Sequence, residues 1–145
     1  MPEFLIPYVV YLISLVIFGV AFWAGDRPLR LVAVVLFVGW TLTPIVHAGD
    51  RRILDYPVLT IDTNAALVLV WISMRWRRLW CAVLAALMIL IVIVQLVHVF
   101  DRGIHLYNRY AANNILSHLQ LVVMIVATWL TVRARRRADE GAVPA

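Results

Sequence analysis

The side chains suited to chemistry in this 145-residue chain are four histidines and a few carboxylates and amides. Gln95 and His98 stand three apart, and Asn114 and His118 four apart, so each pair shares one face of a helix. Asp62 lies in TIDTN, inside a stretch that is otherwise apolar. Neutral imidazoles ligate metal ions or haem iron, and an imidazole near a carboxylate can share its proton. Asp62, Gln95, His98, Asn114 and His118 are therefore the candidate pocket. His98 and His118 form its expected centre, because segments four and five are consecutive and their amide-bearing faces can meet. Each residue also has a plainer reading. Asp62 suits a helix N-cap beside Thr63 and Asn64, and His118 suits a neutral imidazole hydrogen-bonded across helices. His98 suits a C-terminal cap beside Asp101, and His47 and His105 suit solvated interface positions.

The elements that must hold these residues are strongly apolar. Hydrophobic residues make up 64% of the chain and charged residues only 14%, with a mean hydropathy of +0.92. A soluble domain carries roughly a quarter charged residues, so this composition cannot build an aqueous surface. Leu79 to Phe100 runs without a formal charge. At about 1.5 Å per helical residue it crosses a hydrocarbon core of about 30 Å.

Similar segments cover residues 4–23, 29–46, 57–75 and 111–132, predicting an all-α, polytopic transmembrane bundle of five spanning helices. Pro44, after Thr41 and Thr43, predicts a kink in segment two, with a threonine hydroxyl or a neighbouring helix satisfying the freed carbonyl. Segment three is the weakest, since Thr60, Asp62, Thr63 and Asn64 occupy its first turns. The alternative is four spans plus a re-entrant segment. Residues 1–132 form one bundle in this reading, and residues 133–145, RARRRADEGAVPA, a disordered basic tail.

All 13 basic residues are arginines. Five spans put Arg27, Arg30, Arg75, Arg77, Arg78, Arg133, Arg135, Arg136 and Arg137 on one side, against Arg51, Arg52, Arg102 and Arg109 on the other. The positive-inside rule then predicts an inner-membrane protein with a periplasmic N-terminus and a cytoplasmic C-terminus. With four spans the bias is the same and both termini are cytoplasmic. Glu3 offers no cation to hold the N-terminus inside, and WISMRWRR resembles a membrane exit, both favouring five. The same Glu3, and the lack of a small-residue cleavage pattern in AFWAGD, predict no cleaved signal.

The arginines lie in loops and tail, which suits the lipid bilayer and its anionic headgroups and not nucleic acid. Ala82 and Ala86 make a small-xxx-small pair, a packing surface for a helix, including one from another membrane protein. The single Cys81 excludes an intramolecular disulfide and any paired-cysteine site. No HExxH, P-loop, GxSxG or dinucleotide-binding glycine pattern occurs.

A non-enzymatic binding or accessory role is thus the first expectation. A b-type haem or metal-ion redox protein using two of His47, His98 and His118 is the second, and a holin-like pore former the third.

Overall fold

The computed structural model describes residues 5–46, 56–100 and 106–141. It is all-helical. Five helices follow one another: α1 (Leu5–Ala24), α2 (Arg27–Val46), α3 (Tyr56–Trp76), α4 (Leu79–Phe100) and α5 (Leu106–Gly141). Each packs against the next, α5 returns to α1, and α2 touches α5 across the ring.

Two links of two residues make tight hairpins, α1 to α2 and α3 to α4. Asp26 caps α2, its Oδ1 accepting from the Leu29 N–H at 3.3 Å. Arg77 ends α3 in the left-handed region with φ of 48°, its N–H donating to the Ser73 carbonyl at 2.9 Å. The two hairpins lie at the same end of the bundle. Arg78 of one reaches Asp26 of the other at 3.7 Å, a partly exposed pair that contributes little energy but records the proximity.

Three helices are long and apolar enough to cross a membrane: Tyr56–Trp76, Leu79–Val97 within α4, and Tyr110–Glu140 within α5. Val9–Ala24 is apolar but shorter among the described residues. Five spanning helices are therefore not established by length and composition; three are candidates. The segment expected to be weakest is one of them. It forms a continuous helix of 21 residues, long enough at about 1.5 Å per residue to span.

The bundle is apolar on its outside as well as in its core. Ser14, Ala21, Ala33, Ala65, Ala66, Ala85 and Ala127 are buried, while Val16, Trp23, Leu67, Trp71, Met74 and Leu79 are exposed. Lipid gives large apolar side chains no reason to turn inward, and small residues let helix backbones approach closely. This arrangement suggests a membrane protein.

Hydroxyls inside the helices are satisfied locally. Ser14, Thr43, Thr63, Thr128 and Thr131 each donate to the carbonyl four residues back, at 2.7–2.8 Å. Thr41 does the same to Phe37. Neither Thr41 nor Thr43 turns to the Trp40 carbonyl that Pro44 frees, because each is held by its own turn. α2 nonetheless remains helical through Val46.

Two further expectations differ from the fold. α5 continues to Gly141 where a disordered tail was expected from residue 133. Arginine, alanine and glutamate are good helix formers, and Gly141 is the first breaker the helix meets. Residues 133–140 are all exposed, so this extension projects from the bundle without packing on it. Ala82 and Ala86 are also exposed, whereas Cys81 and Ala85 face the core. The small pair therefore packs against no other helix of this chain among the described residues.

Candidate functional site

A cavity of about 550 Å³ opens in the half of the bundle away from the hairpins. All five helices contribute: Tyr11 from α1, Trp40 and Thr43 from α2, Asp62 from α3, Met88 and Ile91 from α4, and a polar strip from α5. That strip is Tyr110, Asn113, Ser117 and Gln120, spaced three, four and three residues apart and so aligned on one face. Asn114 and His118 line it from the adjoining face. The rest of the wall is aliphatic, including Val10, Val35, Leu36 and Val58.

Asp62 sits in the second turn of α3 and is only 8% exposed. Gln95 of α4, 1% exposed, donates its side-chain Nε2–H to Asp62 Oδ2. The N-cap reading of Asp62 fails, since the helix begins six residues earlier at Tyr56. Its neighbours Thr63 and Asn64 bond back to the carbonyls of Leu59 and Thr60 and leave the carboxylate to face the interior. Carboxylates within spanning segments turn toward protein or a watery cavity, because lipid contact is costly. Asp62 does both.

Gln95 reaches across to α3, not to α5. Between α4 and α5, the Met88 sulfur accepts from buried Gln120 Nε2–H at 3.3 Å.

His118 is exposed, and its ring Nδ1 lies 2.6 Å from the backbone carbonyl of Asn114 on its own helix. The expected bond across helices is thus replaced by one along α5, because the carbonyl one turn back is within the ring's reach. A carbonyl can only accept, so Nδ1 carries a proton and Nε2 is left outside that bond. Asn114 is exposed beside it.

The side chain of His98 lies outside the described residues, as do His47, His105, Asp50, Asp55 and Asp101. The expected meeting of His98 and His118 cannot be placed for that reason. Among the described residues no group of three His, Cys, Asp or Glu side chains is arranged to hold a metal ion.

Asn113 is an additional feature. Its side-chain Oδ1 is buried with no hydrogen-bond partner, and the residue lines the cavity. Unpaired buried acceptors are uncommon. Tyr11, Trp40, Thr43, Tyr110, Asn113, Ser117 and Gln120 did not enter the candidate pocket on sequence grounds. The α5 members were detectable from their common helical face; Tyr11, Trp40 and Thr43 were not, since only the packing of α1 and α2 brings them in.

No protein family, curated protein or solved structure matches this chain.

Proposed function

We propose that the chain is a five-span inner-membrane protein, N-terminus periplasmic and C-terminus cytoplasmic, whose work is non-enzymatic binding in this cavity. The observation that carries the reading is the cavity itself. It is large enough for a small organic molecule, mostly apolar, and furnished with a few converging polar groups, as ligand sites commonly are. Its polar residues lie on the halves of the helices away from Arg27, Arg75, Arg77 and Arg78, which corresponds to the periplasmic side under the positive-inside rule. Exposed Arg133, Arg135, Arg136 and Arg137 would contact anionic headgroups at the cytoplasmic face.

The exposed Ala82 and Ala86 favour a second element of the same reading. A helix of another membrane protein could approach α4 closely there, giving the binding function an accessory context.

Thiol labelling tests the cavity. In a Cys81→Ala background, Ser117→Cys should be modified by a membrane-impermeant sulfonated thiol reagent added to intact spheroplasts. Adding Ala65→Trp, which fills the opposite wall, should slow the reaction at least tenfold. A thiol that reacts only after lysis, or one indifferent to the tryptophan, would remove the basis for an outward-facing binding cavity.

A further inference from the structure

We infer that the cavity takes a cationic amphiphile, an ammonium head on an apolar or aromatic body. The inference rests on reading the cavity as a binding site and names the chemistry of its occupant.

The electrostatics point one way. Asp62 is the one carboxylate among the described lining residues, and no arginine is found among them; the chain contains no lysine. Gln95 takes one carboxylate oxygen, which fixes the orientation of the group without supplying a compensating charge. A neutral amide donor supplies no charge, so an ammonium head would be the group that pairs with an ionised carboxylate here.

The hydrogen-bonding capacity agrees. His118 has its Nδ1 proton committed to the Asn114 carbonyl, which leaves Nε2 as the ring nitrogen open to a ligand. Thr43 has its hydroxyl proton committed to the Gly39 carbonyl at 2.8 Å and turns lone pairs toward any ligand. A primary ammonium has three N–H donors and no acceptor, which suits a carboxylate with further acceptors on the same wall. Tyr11, Trp40 and Tyr110 complete the match, because aromatic faces attract cations while their edges pack against an apolar body. A carboxylate or phosphate head would find no cation among the described lining residues.

The test compares three probes that share one body and differ in head: phenethylammonium, 2-phenylethanol and phenylacetate. Each is titrated by calorimetry into the purified full-length protein at pH 8, where an ordinary imidazole is mostly neutral. The ammonium should bind at least tenfold tighter than the alcohol, and phenylacetate most weakly. Asp62→Asn keeps an acceptor for Gln95 but removes the charge. It should abolish the advantage of the ammonium while leaving the affinity for the alcohol within about threefold. If the alcohol binds as tightly as the ammonium in the wild-type protein, the cationic class is overturned and the cavity survives as a neutral site. If phenylacetate binds tightest, the assignment of charge is reversed and fails. If none of the three binds although the Ser117→Cys thiol is open to reagent, this inference falls while the open cavity stands. Should Asp62→Asn not accumulate, the ranking of the three probes on the wild-type protein decides the matter alone.

Discussion

Gln95 of α4 donates its amide N–H to the carboxylate of Asp62 on α3, and both side chains are buried between the two helices. The pair joins two of the three helices long and apolar enough to span a membrane. It also holds the cavity's only described carboxylate in a fixed position. In a bundle whose outer surface is leucine, valine and tryptophan, such a bond sets which faces of α3 and α4 meet, because any other rotation strands two polar groups.

The energetic expectation follows from that asymmetry. A hydrogen bond between membrane helices contributes about 0.6 kcal/mol on average. A buried polar group left without its partner costs about 1–3 kcal/mol, and more when it is charged. Gln95→Leu should therefore destabilise more than the bond is worth, and Asp62→Leu should lower folded yield although it makes α3 more apolar. The double leucine variant, which strands neither group, should recover most of the loss. Thermal unfolding of the detergent-purified proteins measures all three. A double variant no more stable than the worse single one would mean that the pair does not organise the α3–α4 contact.

The helices were legible because an apolar run without charges has few alternatives in lipid. Their ends agree with the sequence reading to within two residues for α1 to α4. The α5 ends were not legible, since tyrosine, asparagine and arginine at residues 106–110 and 133–140 suit either a helix or a loop. Asp62 was recognisable as inward-facing from the cost of exposing a carboxylate to lipid. Its partner was not. Gln95 shares a face with His98, and the i to i+3 spacing says that the two point together without saying toward which neighbour. Only the packing of the ring decides that α3, and not α5, receives Gln95.

Gly25 and Gly19 should respond oppositely to alanine. At Gly25, in the α1–α2 link, an added Cβ would run into the Ala21 backbone carbonyl and press on the Leu29 side chain. The carbonyl belongs to the last turn of α1 and cannot give way cheaply, so Gly25→Ala should cost about 1–3 kcal/mol, as overpacking does. At Gly19, mid-helix and exposed, a Cβ meets nothing within 4 Å. Gly19→Ala should stabilise by about 0.5–1 kcal/mol through reduced backbone entropy of the unfolded chain. Melting temperatures of the two variants give the comparison. Equal shifts of the same sign would show that the hairpin is not as closely packed as its geometry requires.

The topology has a decisive measurement. Five spans place the two termini on opposite sides, whereas four spans place them together, and the arginine bias alone is the same for both. The fold adds two considerations. α3 is a continuous 21-residue helix with Arg75 in its last turn, and the α3–α4 link shares its end of the bundle with the α1–α2 link. If α3 crosses the membrane as its length and composition allow, α1 and α2 must cross with it to keep both links on the arginine-rich side. Reporter fusions should then show a periplasmic N-terminus and a cytoplasmic C-terminus. Replacing Arg75, Arg77 and Arg78 by glutamine should weaken that preference, because in that topology these three arginines would hold the α3–α4 hairpin on the cytoplasmic side. Reporters that place both termini in the cytoplasm would reject five spans, and with them the periplasmic opening of the cavity.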